Sequence, residues 1–142
     1  MAVFISHHFK ESVINTIAVL LSGGVDSTVA LHLLKSRGFN VTAFYLKVWN
    51  EDDNLLGDCP WETDVEFAVQ VCKQLNVPLE VLSMQRAYWD RVVDYTLKTV
   101  QQGLTPNPDI MCNRLVKFGA FDEQAGNEFD KIATGHWARL QK

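Results

Sequence analysis

The sequence predicts an α/β domain built on a doubly wound parallel sheet, and three observations carry that prediction. Residues 17–21 form a short unbroken apolar run, which is typical of a strand buried on both faces of a parallel sheet. Two adjacent glycines, Gly23 and Gly24, follow, and apolar residues then recur at helical spacing over 25–34. Strand-like and helix-like segments keep alternating along the chain, which is the order that right-handed crossovers produce in such a sheet.

The later elements follow from the same patterns. Val65, Ala68, Val69 and Cys72 fall at the spacing of one helix face, which places Cys72 on a buried side. The predicted order is a strand over 17–21, a helix from 25 to an Arg37-Gly38 cap, a strand over 41–48, a helix over this stripe, a strand over 79–83, helices over 88–101 and 110–127, and a strand over 131–134. Ligands of such sheets bind at the carboxyl ends of the strands.

The turn after the first strand reads Ser22-Gly23-Gly24-Val25-Asp26-Ser27, and we call it the glycine turn (residues 22–27). Its glycines let the backbone approach a ligand closely, and the next helix directs its first N–H groups and positive dipole end there. This arrangement predicts an anion site. The turn matches neither G-x-x-x-x-G-K-[ST] nor G-x-G-x-x-G. The alternative is an ordinary strand-to-helix turn with Asp26 or Ser27 as the helix cap.

Length and composition are those of one globular domain. The chain has 142 residues, 47% hydrophobic and 21% charged, with a mean hydropathy of -0.04. No apolar run approaches the length of a membrane span, so no membrane association is expected. Residues 1–15 match neither a signal nor a transit peptide and are predicted to be an N-terminal arm before a domain over 16–142. His7-His8 belongs to that arm, and a two-His metal site there lacks further ligands, so no metal site is predicted.

The net charge of -4 comes from one segment. Residues 51–66 hold seven acids and no Lys or Arg, so the rest of the chain has 13 basic against 10 acidic residues. We interpret the segment as a solvated loop and helix start, because acids favour the first turn of a helix. The alternative is a role in holding Mg²⁺ or in gating the site. The remaining charge of +3 leaves a nucleic-acid partner open.

Three segments are expected to meet at the carboxyl edge of the sheet: the glycine turn, the end of the second strand near Leu46, and Thr134-Gly135-His136. We expect adenine to lie against Leu46, with Tyr45 and Lys47 pointing to the other face. Gly135 is expected to let the backbone approach the nucleotide. His136 is interpreted as functional because of its place after Gly135, with a hydrogen-bonded structural role as the alternative.

A second informative stretch covers residues 105–118. Pro106 and Pro108 flank Asn107 and predict a rigid turn, which we call the proline turn (residues 106–109). With Asp109 as N-cap of the following helix, Cys112 becomes its N3 residue, where the helix dipole favours thiolate over thiol. A buried, inert thiol is the alternative. Arg114 and Lys117 are candidates for phosphate contacts or for a solvated helix face.

Taken together, these motifs resemble the tRNA-specific 2-thiouridylase family over residues 17–139. The stretches that carry the resemblance are the glycine turn, Lys47-Val48-Trp49, Tyr88-Trp89-Asp90, Thr105-Pro-Asn-Pro-Asp-Ile-Met-Cys-Asn113 with Lys117-Phe118, and Ala133-Thr-Gly-His136. The glycine turn alone is shared with other synthetases of the ATP pyrophosphatase group, whereas Asn-Pro-Asp-Ile-x-Cys-Asn is more specific. The resemblance implies the adenine nucleotide alpha hydrolase-like, Rossmann-like fold of pyrophosphate-loop ATPase domains.

The resemblance also implies a reaction. ATP, assisted by Mg²⁺, adenylates the C2 oxygen of the wobble uridine of a tRNA, and sulfur from a cysteine persulfide, supplied by a donor protein, then replaces that oxygen. The implied catalytic residues are Cys112, as the nucleophile, and Asp109. The implied tRNA contacts are Asn107, Pro108, Asp109 and His136. The implied ATP contacts are Leu20, Leu21, Ser22, Gly23, Gly24, Val25, Asp26, Ser27, Leu46 and Gly135.

The chain departs from this family pattern in where it stops. The family's second catalytic cysteine and its later tRNA-binding domains come after the position of Lys142, and neither Cys59 nor Cys72 replaces that cysteine. We therefore expect an N-terminal fragment or a truncated product. Three thiols without a C-x-x-C pair predict a reducing compartment, the cytoplasm or, in a eukaryote, a mitochondrial or plastid matrix. The alternatives in function are a non-catalytic ATP- or AMP-binding module and another pyrophosphate-loop synthetase.

Overall fold

The computed structural model describes residues 15–48 and 60–137, which form a four-stranded parallel sheet in the order β3-β2-β1-β4. The strands are β1 (Thr16–Leu20), β2 (Asn40–Lys47), β3 (Leu79–Ser83) and β4 (Lys131–Thr134). All three pairings are parallel, and the register sets Leu20 of β1 beside Phe44 of β2 and Thr134 of β4. The predicted α/β class with a parallel sheet is confirmed.

Helices connect the strands in the predicted order. They are α1 (Val25–Ser36), α2 (Pro60–Leu75), α3 (Gln85–Tyr88), π1 (Trp89–Val93), α4 (Asp94–Gln101), α5 (Pro108–Cys112), π2 (Asn113–Ala120) and α6 (Phe121–Gln124), with a 3₁₀ turn Gly126–Glu128 before β4. The third predicted helix is α3, π1 and α4 in succession and begins three residues earlier than expected. The fourth is α5, π2 and α6 and begins two residues earlier, because Pro108 suits the first position of a helix.

The two faces of the sheet bury separate apolar clusters, as a doubly wound fold requires. Alternate side chains of β1 and β2, such as Val19 and Tyr45, pack with α1 and α2. This cluster includes Cys72, which is 3% exposed and whose pKa burial raises, so its predicted core position is confirmed. The residues between them, such as Phe44, pack on the other face against α5, π2 and α6, where the Phe44 and Phe121 rings meet edge to face at 5.0 Å.

One carboxylate joins the starts of β1 and β4. The carboxylate of Asp130 accepts hydrogen bonds from the backbone N–H groups of Asn15 and Thr16 and from the Thr16 hydroxyl, at 2.9 to 3.0 Å. These bonds lower the pKa of Asp130 and tie the start of β1 to the start of β4. The rest of the predicted arm, with His7-His8, lies outside the described residues, as do Trp49 and Cys59. None of the helices within the described parts combines the length and apolar character needed to cross a bilayer.

Candidate functional site

A cavity of about 480 Å³ opens at the carboxyl ends of β1, β2 and β4. In the strand order β3-β2-β1-β4, the chain runs outward from β1 to β3 and then returns to place β4 on the other side of β1. The cavity lies at this reversal, which is where open α/β sheets bind ligands. Its lining contains the predicted ATP contacts except Gly23, together with His136. The lining residues are Leu20, Leu21, Ser22, Gly24, Val25, Asp26, Ser27, Phe44, Tyr45, Leu46, Asp64, Lys117, Thr134, Gly135, His136 and Trp137.

The glycine turn is closed by a hydroxyl network inside it. The Ser27 hydroxyl donates to the Gly24 carbonyl at 3.0 Å and accepts from the Ser22 N–H at 3.2 Å. Because its one proton is engaged, the Ser22 hydroxyl is the donor in their 3.2 Å contact. The Thr28 hydroxyl also donates to Gly24 at 3.0 Å. These bonds fix the turn before any ligand arrives.

The first turn of α1 lacks the side-chain cap that the alternative interpretation of the glycine turn predicted. Gly24 is the N-cap, and no side chain caps the helix, so capping by Asp26 or Ser27 is wrong. The Ser27 hydroxyl points back to Ser22 and Gly24 instead. The first N–H groups of α1 therefore face the cavity without a capping side chain, and the dipole adds a partial positive charge there. This arrangement suits an anion better than an ordinary turn would.

Two glycines hold backbone segments closer than any side chain permits. Gly23 has φ +79°, and a Cβ there would lie 2.6 Å from the carbonyl oxygen of Asp64 in α2. A Cβ on Gly135 would lie 2.6 Å from the Ser27 nitrogen. Gly135 was predicted to admit a nucleotide, but its close neighbour is the backbone of α1. It lines the cavity and also fixes β4 against the first turn of α1.

His136 is both hydrogen-bonded and at the cavity, so its two readings are compatible. The Thr134 hydroxyl lies 2.7 Å from His136 Nδ1 and accepts the His136 backbone N–H at 3.3 Å. Either ring tautomer satisfies this contact, because the hydroxyl can donate to Nδ1 or accept from an Nδ1–H. Burial, and secondarily the Lys117 ammonium, lower the pKa of His136. The ring is neutral at pH 7 and offers one N–H donor.

The proline turn leads into α5 in a way that corrects one prediction. Asn107, not Asp109, is the N-cap, and its side-chain oxygen accepts the Ile110 N–H at 3.1 Å. Cys112 is then the fifth helical residue rather than N3, too far along for the dipole to dominate. Burial, the largest influence, raises the pKa of the Cys112 thiol; Lys117 opposes this and Asp109 adds to it. The prediction that the helix dipole lowers the pKa of the Cys112 thiol is therefore wrong.

The remaining predicted residues lie beside the cavity rather than in it. Asn107, Pro108, Asp109 and Cys112 are not part of the lining. Tyr88 lies near Cys112 and Asp109. Its pKa is raised, first by burial and then by the charges of these two residues. The site thus has two regions: the glycine-turn cavity, and the thiol region around α5.

Two charged side chains of the cavity wall, Asp64 and Lys117, come from segments whose role the sequence left open. Asp64 reaches it from α2, and its charge, after burial, raises the pKa of Tyr45. Of the acidic segment, residues 51–59 lie outside the described residues. Lys117 reaches the cavity from π2, and its charge acts on both Cys112 and His136. Leu46 lines the cavity as predicted, while Tyr45 packs into the α1 and α2 cluster yet also reaches the rim.

These features define a class: an α/β nucleotide-binding domain whose glycine turn and uncapped helix form an anion cradle at the switch point of a parallel sheet. The chain belongs to the family described as the tRNA methyl transferase HUP domain, which matches residues 15–142. The resemblance predicted from the motifs is confirmed by this match and by the curated relatives.

Those relatives are bacterial. The chain is 50% identical over 122 residues to the tRNA-specific 2-thiouridylase MnmA of Parabacteroides distasonis, covering 86% of this chain and 34% of the relative. It is 48% identical to that of Porphyromonas gingivalis and 46% identical to MnmA 2 of Bacteroides fragilis, with the same coverages. The chain thus spans about a third of the length of these relatives.

One solved structure supports the fold alone. It is described as a predicted subunit of tRNA methyltransferase from Methanocaldococcus jannaschii, and the two superpose with a TM-score of 0.57 at 21% identity. The match covers 87% of this chain and 53% of that chain.

Proposed function

We propose that this chain is the ATP-binding catalytic domain of a tRNA 2-thiouridylase. In that reaction the C2 oxygen of a wobble uridine attacks the α-phosphorus of ATP and pyrophosphate leaves. Sulfur from a cysteine persulfide then takes the place of that oxygen on C2, and AMP departs with it. The observation that carries the proposal is the cavity at the switch point, whose lining includes both the glycine turn and His136. The thiouridylase relatives supply the chemistry of the target.

The phosphate chain of ATP fits the first turn of α1. That turn has no side-chain cap and a glycine at its N-cap, so N–H groups and the dipole meet a developing pyrophosphate charge. The hydroxyl network of Ser22 and Ser27 holds the turn in place, which reduces the reorganisation needed when charge develops. Adenine lies, in this proposal, against Leu46 and Phe44 at the apolar end of the cavity.

The carboxylates of Asp26 and Asp64 line the same cavity and fit Mg²⁺ in one particular mode. Within the described parts of the chain, no three His, Cys, Asp or Glu side chains are grouped closely enough to hold a metal alone. Mg²⁺ commonly binds through one or two carboxylates plus substrate phosphates, and two carboxylates meet that need. Bound there with ATP, Mg²⁺ would neutralise charge on the phosphates.

The thiol region binds the target base and carries out the sulfur transfer. A uridine turned out of its stack reaches the proline turn, where Asn107 and Asp109 meet the base. Neutral His136 offers its imidazole from the cavity rim to the RNA as a hydrogen-bonding group. The Cys112 thiolate attacks the donor cysteine's sulfur in a C2–S–S–Cys linkage, which breaks the S–S bond, leaves sulfur on C2 and forms a disulfide that an external thiol reduces. The persulfide cysteine and its donor protein come from outside these 142 residues, in the cytoplasm or an organellar matrix.

The test is release of AMP and pyrophosphate from labelled ATP by the 142-residue chain, with Mg²⁺ and with or without unmodified tRNA. We expect release that requires tRNA, since the adenylating groups are on this chain. ATP binding without tRNA-dependent release would instead favour the nucleotide-binding module, a reading consistent with a proline turn outside the cavity. Failure to bind ATP at all would overturn both.

A further inference from the structure

Lys117 occupies a place that joins the two regions of the site. It is half-buried on π2 and lines the cavity near His136. Its ammonium is also the cation that acts on Cys112, which lies outside the cavity. A single side chain therefore faces the proposed phosphate site and the proposed nucleophile.

The π-helical form of this segment explains how one lysine reaches both. Lys117 follows Cys112 by five residues, and Cys112 is the N-cap of π2, immediately before its first residue. In an α-helix five residues turn by about 140° beyond one full turn, so the two side chains would diverge. In a π-helix the hydrogen bond runs from i to i+5, which sets residues five apart nearly above one another. The π turn thus brings Lys117 onto the Cys112 side of the helix.

The charged groups around Cys112 determine what the placement of Lys117 does to the thiol. In the described part of the chain, the titratable groups that interact with the thiol are Asp109 and Lys117 on its own helical stretch and Tyr88 on the neighbouring one. Arg91, from the packed π1, is held by the Glu123 carboxylate at 2.7 Å and by the Leu115 carbonyl at 3.2 Å. Burial and Asp109 both favour the neutral thiol, and Lys117 opposes them.

We propose that Lys117 is a positioning residue that stabilises the Cys112 thiolate and, resting on the proposed function, also faces the phosphate chain of the nucleotide in the cavity. Its charge makes the thiol reactive next to the place where the adenylated base is formed. The π-helical geometry of Asn113–Ala120 places the Lys117 charge where it can act on both the Cys112 thiol and the nucleotide phosphates.

The direct test is the pH dependence of iodoacetamide alkylation at Cys112 in the 142-residue chain. The tryptic peptide from Thr99 to Arg114 contains no other cysteine and does not include position 117, so mass spectrometry follows Cys112 alone in every variant. Lys117→Met removes the charge but keeps the chain length. We expect the alkylation midpoint to rise by about one pH unit, with alkylation at pH 7 about three- to tenfold slower.

Two variants separate charge from shape. Lys117→Arg keeps the cation and should retain most of the wild-type pH profile. Lys73→Met removes an exposed lysine of α2, on the opposite side of the sheet, and should leave the profile unchanged. Circular dichroism and thermal melting of each variant check that the fold is kept. An unchanged profile in Lys117→Met, or equal shifts in Lys117→Met and Lys117→Arg, would contradict the proposal.

A second arm tests the cavity side with inorganic pyrophosphate and ATP as probes in titration calorimetry. We expect Lys117→Met to bind both about five- to twentyfold more weakly than wild type, with Lys73→Met unaffected. Equal affinity in Lys117→Met and wild type would remove the phosphate role. If wild type binds neither probe, the proposed function and the phosphate role fail together, while the alkylation profile still decides the role at Cys112.

Discussion

The glycine-turn cavity and the thiol region are built in different ways. Around the glycine turn, backbone meets backbone through Gly23 and Gly135, and the 4% exposed Ser27 hydroxyl locks the turn from inside. The thiol region begins instead with an exposed cap, Asn107, and continues through a short α segment into a π-helix. One region is fixed before a ligand arrives. The other begins with exposed groups.

The largest effect should follow from filling the close approach at Gly23. Gly23→Ala places a Cβ 2.6 Å from the Asp64 carbonyl oxygen at φ +79°, so it adds a clash to an unfavourable backbone conformation. We expect it to lower the free energy of unfolding by about 3 kcal/mol and to abolish ATP binding. Urea denaturation and calorimetry measure both.

Gly103→Ala is the matched control for that change. Gly103 has φ +73° but no atom within 4 Å of the added Cβ, so only the backbone term remains, about 1 kcal/mol. Equal losses in the two variants would show that the packing of the glycine turn on α2 contributes nothing.

Removing the Ser27 hydroxyl should have the next largest effect. Ser27→Ala leaves the Ser22 N–H without its acceptor in a partly buried setting, and we expect a loss of about 1 kcal/mol with weaker ATP binding. Thr28→Ala removes a less buried hydroxyl that bonds the same Gly24 carbonyl, and about 0.5 kcal/mol is expected. An equal loss of stability in Thr28→Ala and Ser27→Ala would contradict the role of the Ser27 hydroxyl in holding the glycine turn.

The cap of α5 gives a smaller effect that distinguishes the observed cap from the predicted one. Asn107→Ala removes the 3.1 Å bond to the Ile110 N–H and should cost about 1 kcal/mol, measured as a lower melting temperature. Asp109→Ala should cost less, because it changes only the charge in the first turn. The reverse order would restore Asp109 as the cap.

The smallest effect concerns pH and the edge where β1 meets β4. Three hydrogen bonds to Asp130 depress its pKa, so the stability it adds is present above the carboxyl's unfolded pKa of about 4 and is lost as pH falls through the folded value. Asp130→Asn should be less stable than wild type at pH 7, and the gap should close at low pH. Asp94→Asn, which removes an exposed helical partner of Lys98, should show a smaller gap. A gap that persists at low pH would exclude the carboxylate charge as its cause.

The same contrast separates what sequence patterns predicted from what they did not. Residue type and flanking residues placed β3 and β4 residue for residue, and the apolar run of β1 was predicted one residue late. The glycine turn was identified because its motif lies in consecutive residues. Asn107 and Asp109 are both good caps, and only the φ preference of Pro108 at the first helical position decides between them. Lys117 and the acidic segment with Asp64 were left with two readings each, because their places at the cavity depend on a π turn and on tertiary packing, which no local pattern encodes.

The central claim is that ATP binds in the cavity around the glycine turn. Hydrogen exchange followed by mass spectrometry, with and without ATP and Mg²⁺, tests it residue by residue. We expect ATP to slow exchange over residues 22–28 and around Gly135, and to leave residues 107–112 nearly unchanged without tRNA. Protection over 107–112 without protection of the glycine turn would contradict the account.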